Sequence, residues 1–524
     1  MKPDPPSLIA SNLVPAADPS QPAPPLTAAM PRRQFLRLGT AAVTATAMFP
    51  EQPVGASAAA SGAAERLNMR TGGIDLIVQP VLMYRIPERR PVGAWRDWSG
   101  VYTQEAVNQE AARIERELTE MSESAPFGMR ILPLVRVSNA PQAQALRGSA
   151  ADVFLVYATG GGGEILDALA GLGKWLVIFT RRESGPFYLW NQIVHPRFLR
   201  GHSDQLRHPT VSLDDVVVDD QADVVWRLQA LYGLKNTIGR RIVCVGEPSG
   251  WSWPQAPQLA RERFQLDMVN LPISEVNSLI VAGRRDAQLM AECERETERY
   301  IRARGVRLVA TREAVRETFL LRRIFYDQMA KAQAYAVTTF GCMASYAGIM
   351  PCLTLTLIND DGYMAYCESD FVVIPSGMLL HFIAGKPTYL CNPTHPHRGR
   401  MVFAHCSAPR RMDGERLEPV QLVTYFESDQ HVATHVEFRR GQALTILIPD
   451  FEAKEWLGMT GRIVGTPQHL HTCRAQVDVA FDADTQEVAR NLRGFHCMLA
   501  YGDYTREVTY AASKVGISVK MLRA

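Results

Sequence analysis

Apolar runs and amphipathic segments alternate along most of this 524-residue chain, from about residue 74 to residue 385. The runs Ile74–Tyr84, Asp152–Ala158 and Lys174–Thr180 are rich in β-branched and aromatic residues, which favour strands. Between the first two runs, Gln104–Met121 repeats apolar residues at helical spacing. Strands that alternate with helices are typical of parallel sheets covered by helices. The pattern therefore predicts an α/β protein with two doubly wound, Rossmann-like domains.

The second unit of this kind begins near residue 209 and ends near residue 388. We expect helices over Val218–Leu234, Pro257–Gln265, Val276–Arg304, Arg312–Thr338 and Phe371–Ala384, and strands from Arg240, over Pro351–Asp360 and over Gly362–Ser369.

The pattern changes after Lys386, where short strand-like runs are separated by turn residues. The runs are "MVFAHCSA", "VQLVTYF", "HVATHVEF", "QALTILIPD", "GRIVGTP" and "CRAQVDVAF". Such a series is typical of an antiparallel barrel or sandwich, and we expect a β-barrel-like domain. We therefore divide the chain into a signal peptide with its linker (1–64), an N-terminal α/β domain (65–208), a central α/β domain (209–388) and a C-terminal β-rich domain (389–524).

The N-terminus resembles an export signal rather than a folded segment. Arg32 and Arg33 precede a weakly apolar run and then small residues, "ASAAASGAA", as in a twin-arginine signal. Cleavage is expected at Ala58 or a few residues later, and translation starts at Met1 or Met30. The alternative is a disordered basic tail. The signal predicts a periplasmic or secreted protein.

Composition excludes several classes of protein. The net charge of +2 gives no reason to expect a nucleic-acid partner, and no apolar run reaches the roughly 18 residues of a membrane-spanning helix. The nine cysteines include no CxxC pair, so neither a zinc ribbon nor a disulfide framework is expected. Because neighbouring side chains on a strand face opposite ways, the four cysteines beside candidate polar residues are interpreted as small buried apolar residues. These four are Cys367, Cys391, Cys406 and Cys497.

Two polar sites follow strand-like runs between Ala365 and His397. The first run leads into Glu368, a short apolar helix follows, and the second run ends at Asn392 beside a cluster of His and Pro residues. Polar groups delivered to two strand ends beside one helix indicate a pocket.

These residues resemble the L-fucose and L-arabinose isomerases, which also have two α/β domains followed by a β-rich one. "YCESD" places Glu368 in a turn like the "TEND" turn of fucose isomerases, and Asn392 ends the next strand 24 residues later (392 − 368 = 24), near the family's spacing between Glu and Asp. "GFHCMLAYGDY" offers His496, and "VFAHCSA" offers His405 where arabinose isomerases have a further histidine. The resemblance covers residues 70–520 loosely and is specific only in residues 355–410 and 490–515.

The resemblance implies a metal-dependent aldose–ketose isomerase. In these families a Glu, an Asp or Glu, and a His bind Mn²⁺, and the two acids move a proton between C1 and C2 of the open-chain sugar. An enediol pathway requires a carboxylate for the proton and a hard cation for the developing negative charge. Glu368, Asn392, His405 and His496 are then the expected metal ligands.

The chain departs from the family at Asn392, because an amide cannot carry a proton at neutral pH. Asp370 is the candidate second acid, although its carboxylate can equally cap the helix that begins at Phe371. His405 can supply the missing ligand or can be a hydrogen-bonded histidine at a strand end. His395 and His397 are more typical of a surface loop.

Trp251 and Trp253, in "PSGWSWP", follow a predicted strand and can stack on a sugar ring. The alternative is that they only pack within their loop.

Three functions remain open on the sequence alone. The first is an isomerase or epimerase that acts through an enediol. The second is a non-catalytic, exported carbohydrate-binding protein that has lost the second acid. The third is a metal-dependent sugar lyase or hydratase with Glu368 as its only base. In each case we expect a small carbohydrate as partner and a homo-oligomer, with no nucleic acid and no membrane after signal cleavage.

Replacing Arg32 and Arg33 by lysine should leave unprocessed precursor in the cytoplasm, because the export route requires the arginine pair. Fractionation and immunoblotting would measure this. Mature protein outside the cytoplasm at the normal level would contradict the twin-arginine prediction.

Overall fold

The computed structural model describes residues 72–88, 100–188, 199–201, 203–341, 345–467 and 470–523. All of them belong to one compact unit, Glu65–Ala524. The predicted signal peptide and its linker lie outside the described residues, so the structure does not bear on them. None of the described helices combines the length and the apolar character needed to cross a bilayer.

The N-terminal part is a parallel sheet, as the alternating pattern predicts. Its strands follow the order β2-β1-β4-β5-β6, and β3 continues β2 along the same edge of β1. Every residue of β4 is buried, which explains its continuous apolar run. The strands are β1 Leu76–Met83, β2 Met129–Ile131, β3 Val135–Val137, β4 Val153–Ala158, β5 Trp175–Thr180 and β6 Val216–Val218; the helices are α1 Gln104–Ser124, α2 Ala140–Gln144 and α3 Gly163–Ala170, with short 3₁₀ helices at Ala145–Gly148 and Leu213–Asp215.

The central part is built on a second parallel sheet. Four of its strands follow the order β11-β10-β7-β8. Its strands are β7 Arg241–Val245, β8 Asp267–Leu271, β9 Val306–Leu308, β10 Ala336–Thr339 and β11 Met364–Tyr366; its helices are α4 Gln221–Thr237, α5 Ala256–Phe264, α6 Ile273–Arg285, α7 Ala287–Ile301, α8 Arg312–Lys331, α9 Cys352–Asp360 and α10 Ile374–Ala384.

The strand predicted over Pro351–Asp360 is wrong, because this segment forms α9. Every residue of α9 is buried, so its sequence shows no alternation of apolar and polar faces that would indicate a helix. The Asn359 amide donates to the carbonyls of Leu355 and Ala365 at 3.0 and 2.8 Å and ties the end of α9 to β11.

Three predicted helix boundaries are also wrong. Val276–Arg304 is two helices, because the Asp286 carboxylate accepts from the amides of Gln288 and Leu289 and starts α7. The helix predicted over Arg312–Thr338 ends at Lys331, and Thr338 lies in β10. Val218 closes β6, so α4 begins only at Gln221, after its cap Asp220.

The C-terminal part contains a closed antiparallel barrel of six strands, which confirms the predicted barrel. The strands follow the order β16-β19-β12-β13-β18-β17, and β17 pairs with β16 to close it. Two predicted strands lie elsewhere, since β14 and β15 form a separate sheet with β9. The elements are β12 Tyr389–Pro393, β13 Arg400–His405, β14 Val420–Val423, β15 Ala433–Val436, β16 Ala443–Ile448, β17 Glu455–Gly465, β18 Ala475–Ala480, α11 Thr485–Asn491, β19 Cys497–Tyr501, α12 Thr505–Ser513 and β20 Ser518–Met521.

Helix α10 joins the central sheet to the barrel through two glycines. A Cβ atom on Gly377 would lie 2.4 Å from Met498 Cε of β19, and one on Gly233 of α4 would lie 2.3 Å from Ile383 Cγ1 of α10. The missing side chains thus allow α10 to pack tightly between α4 and the barrel. This packing brings the carboxyl end of β11 next to the start of β19.

A buried ion cluster follows β5. Arg181 is 1% exposed, and its Nε and Nη2 atoms lie 2.7 and 2.6 Å from the carboxylates of Glu110 and Glu117 of α1. Arg181 Nε also lies 3.2 Å from the Tyr188 hydroxyl. The cluster fixes α1 to the carboxyl end of β5.

Arg181→Met should lower the free energy of unfolding by about 3–5 kcal/mol, because it leaves buried carboxylates without their cation. Thermal melts would measure the loss. Arg323→Met is the matched control, since its pair with Asp327 is more than half exposed and is worth about 0–1 kcal/mol. Equal losses of unfolding free energy in the two variants would contradict the role of Arg181 as the cation of a buried ion cluster.

Candidate metal centre

The turn after β11 has an unusual backbone. Glu368 and Ser369 have φ values of 68° and 48°, in the left-handed region that costs a non-glycine residue roughly 1–2 kcal/mol. Two hydrogen bonds hold the turn: the Ser369 amide donates to Thr338 Oγ1 at 3.1 Å, and the Ser249 amide donates to the Ser369 carbonyl at 3.1 Å. The turn is thus fixed to β10 and to the loop after β7, and it directs the Glu368 side chain into the interior.

Asp370 lies at the end of this turn and contacts the barrel. Its Oδ2 atom accepts from His496 Nδ1 at 2.7 Å, and its Oδ1 atom accepts from the Val372 amide at 3.1 Å. Helix α10 begins only at Ile374, so the predicted start at Phe371 is three residues early. The carboxylate therefore orients an imidazole and also bonds to the backbone before the helix.

Glu368 lies between the two histidines that the sequence analysis selected. His405 ends β13 and His496 precedes β19, so both come from the barrel. His405 Nε2 lies 3.4 Å from Glu368 Oε1, and His496 Nε2 lies 3.1 Å from Glu368 Oε2. All three side chains are at most 3% exposed.

Three of these facing atoms have no hydrogen-bond partner. Although they are close, Glu368 Oε2, His405 Nε2 and His496 Nε2 do not meet one another with hydrogen-bond geometry. Buried polar atoms without partners are costly, and carboxylate and imidazole atoms are common metal ligands. The three residues therefore fit a divalent cation.

One group of potential ligand atoms includes Cys367, which was interpreted as a small buried residue of the core. A sulfur of Cys367, a carboxylate oxygen of Glu368 and a ring nitrogen of His405 all lie within 4.8 Å of one another. Cys367 is buried in the apolar core, as predicted, but the left-handed Glu368 also brings its sulfur close to the carboxylate, which an extended backbone would not do. Cys391, Cys406 and Cys497 are buried, as predicted.

The charges in the cluster are strongly coupled. Burial would raise the pKa of Glu368, but its contacts with His405 and His496 outweigh burial and hold that pKa well below the ordinary value. Burial would lower the pKa of His496, but Asp370 and Glu368 raise it to about 9. Without a metal, His496 is therefore an imidazolium between two carboxylates at neutral pH.

Asn392 lies near the cluster, but its side-chain hydrogen bond is to the backbone before His496 rather than to Glu368. It is half-buried near the end of β12, and its Nδ2 atom donates to the Phe495 carbonyl at 3.1 Å. The amide thus supports the backbone that leads into His496. His395 and His397 are exposed, as the surface-loop interpretation predicts.

The two tryptophans have different surroundings. Trp251, with φ 56°, stacks on Phe495 at 5.2 Å between ring centroids, and its edge-on contact with His496 is 5.8 Å. Trp251 and Phe495 are 46% and 53% exposed. Trp253 is half-buried and packs 6.1 Å from Phe451. Phe495 was missed by the sequence analysis, although its position directly before His496 was a usable signal.

No protein-family model matches the chain, and no curated protein is significantly similar to it. The resemblance to the sugar isomerases therefore depends on this chain's own residues, and the function it implies stays a prediction.

Glu368→Gln should lower divalent-metal occupancy strongly, because it removes the charge at the centre of the cluster. Metal analysis after dialysis against Mn²⁺, Zn²⁺ or Co²⁺ would measure this. Glu507→Gln, a change at the buried glutamate of α12, is the matched control and should keep full occupancy. Unchanged occupancy in Glu368→Gln would place the metal elsewhere.

Proposed function

We propose that this chain is a metal-dependent, isomerase-like protein that acts on a carbohydrate or a sugar derivative after export by the twin-arginine route. The observation that carries the proposal is the buried cluster of Glu368, His405 and His496, whose facing atoms lack hydrogen-bond partners. The resemblance implies Mn²⁺, and the carboxylate and imidazole donors are compatible with that ion.

The strand orders support a Rossmann-like assignment of both sheets. In the first sheet, the five strands of the main path, which leaves out β3, lie in the order β2-β1-β4-β5-β6; numbered one to five along the chain, this is 2-1-3-4-5. In the second sheet, β8-β7-β10-β11 becomes 2-1-3-4 in the same way. This is the flavodoxin-like order of a doubly wound fold. Such folds bind ligands beyond the carboxyl ends of their strands. Glu368 follows the carboxyl end of β11, and the Trp251 loop follows that of β7.

The residues of the cluster have two kinds of role: some would bind the metal, and others orient the residues that bind it. A bound divalent cation would stabilise negative charge on the sugar oxygens during enediol formation. Asp370 holds the Nδ1 proton of His496, which turns Nε2 toward Glu368 as a ligand. His405 is oriented in the same way, since its Nδ1 lies 3.2 Å from the Ser407 hydroxyl.

The site is less suited to proton transfer than to metal binding. A carboxylate whose pKa is held far below neutral is a good ligand but a poor base. Asp370, the candidate second acid, is engaged by His496 and by the Val372 amide. Asn392 cannot replace it, so we expect slow C1–C2 proton exchange in the natural protein.

Trp251 and Phe495 form an exposed aromatic wall next to His496. The C–H face of a sugar ring stacks well on such a surface. Of the two tryptophans, Trp251 is therefore assigned to the substrate, and Trp253 to packing of the loop.

A non-catalytic, exported carbohydrate-binding protein is the second candidate, and Asn392 favours it. The amide keeps the size of the family's acid but lacks its proton chemistry. This candidate predicts sugar binding without hydrogen exchange at C2. A lyase or epimerase on the same site would exchange C2 hydrogen, and the lyase would also release an elimination product.

Asn392→Asp should raise C1–C2 proton exchange about 10²–10⁴-fold, the usual contribution of an acid–base group. Deuterium incorporation into aldoses in ²H₂O, followed by NMR with divalent metal present, would measure it. Asn392→Leu keeps the size without a proton carrier and is the matched control. Efficient exchange in the natural protein that falls in Asn392→Asp would contradict the proposal.

A further inference from the structure

Cys367 is the one residue of the tight ligand group that the isomerase resemblance does not account for. It is 3% exposed and lies between β11 and Glu368. The Thr339 hydroxyl lies 3.8 Å from its sulfur. A contact of this length to a thiol is weak.

The backbone explains how two neighbouring side chains reach one site. In an extended strand Cys367 and Glu368 would face opposite sides of the sheet. The left-handed conformation of Glu368 turns the chain directly after Cys367, so the sulfur and the carboxylate converge on His405. The strain of this turn is compatible with a functional constraint at this point.

A second observation points to a ligand rather than to simple packing. His405 Nε2 is buried without a hydrogen-bond partner, and its other ring nitrogen is next to Ser407. An imidazole fixed at Nδ1 and unpartnered at Nε2 is typical of a metal-binding histidine. His405 belongs to the same group of potential ligands as Cys367.

We propose that Cys367 binds the metal as a thiolate, together with Glu368 and His405. This inference rests on the metal site of the proposed function and adds a soft donor to it. On binding, the S–H bond breaks, its electron pair forms the sulfur–metal bond, and the proton passes to solvent. Sulfur, nitrogen and oxygen donors together favour Zn²⁺ or Co²⁺, whereas Mn²⁺ prefers carboxylate, carbonyl and water ligands.

Cobalt gives a readout that is independent of activity, because Co²⁺ bound to a thiolate shows an intense sulfur-to-metal charge-transfer band in the near ultraviolet. The full chain, freed of metal with a chelator, should develop this band and saturate at one equivalent of Co²⁺. Cys367→Ser should lose the band. Zn²⁺ added in equal amount should abolish it by displacement, and Mn²⁺ should not.

Two other thiol groups supply the controls. Cys391 and Cys497 lie on paired strands of the barrel with their sulfurs 3.5 Å apart. Cys406 lies near Cys352 and Cys473. Cys391→Ser and Cys406→Ser should therefore both keep the band. A band that survives in Cys367→Ser and disappears in Cys406→Ser would overturn the proposal.

The outcomes separate this inference from the proposed function. Cobalt that binds the natural protein at one equivalent without a charge-transfer band would refute thiolate ligation and leave the metal site standing. Failure of the natural protein to bind any of the three metals would remove both. If Cys367→Ser does not fold, X-ray absorption of the zinc-loaded natural protein would show whether a sulfur atom binds the metal. A zinc–sulfur distance near 2.3 Å supports the proposal, and a shell of only oxygen and nitrogen near 2.0–2.1 Å overturns it.

Discussion

The hydrogen bond between Asp370 and His496 connects the two halves of the candidate site. It spans 126 positions of sequence at 2.7 Å and joins the turn after β11 to the start of β19. Without it, the His496 ring would lose the contact that orients its Nδ1 atom, and Glu368, through His405 and His496, would remain as the charged link between the central sheet and the barrel at this point. Its effect on charge is equally important, since Asp370 is the foremost group that keeps His496 protonated in the absence of metal.

The same contacts that suit Glu368 to the proposed role of metal ligand make it a weak base. Two imidazoles stabilise its ionised form in a buried position, which suits a cation and works against accepting a proton. In the family that the chain resembles, two acids share these tasks. Here Asn392 and Asp370 both contact the segment that carries His496, so under the proposed function the chain would be better suited to binding a metal than to transferring a proton.

Local patterns in the sequence were sufficient for most elements, and the resemblance was sufficient for the cluster. Glu368, Asp370, His405 and His496 were all selected from the sequence, and the structure brings them together. Periodicity failed at α9, because a helix that is buried on every side has no polar face to mark it. It also could not show that β14 and β15 pair with the distant β9, since strand pairing depends on tertiary contacts. Cys367 is buried as predicted, but its closeness to Glu368 and His405 was not foreseen, because a left-handed glutamate is not visible in the sequence.

The positions of the proposed ligands would couple metal binding to folding. His405 and His496 follow Glu368 by 37 and 128 residues (405 − 368 = 37; 496 − 368 = 128), so an unfolded chain cannot hold all three on one ion without closing long loops. Only the closed barrel supplies both histidines. An ion that binds the native state alone stabilises it by about 2.7 kcal/mol at a hundred times its dissociation constant. Under the proposed function, loss of the metal would therefore destabilise the whole barrel, including β16 and β17, which lie away from the candidate ligands.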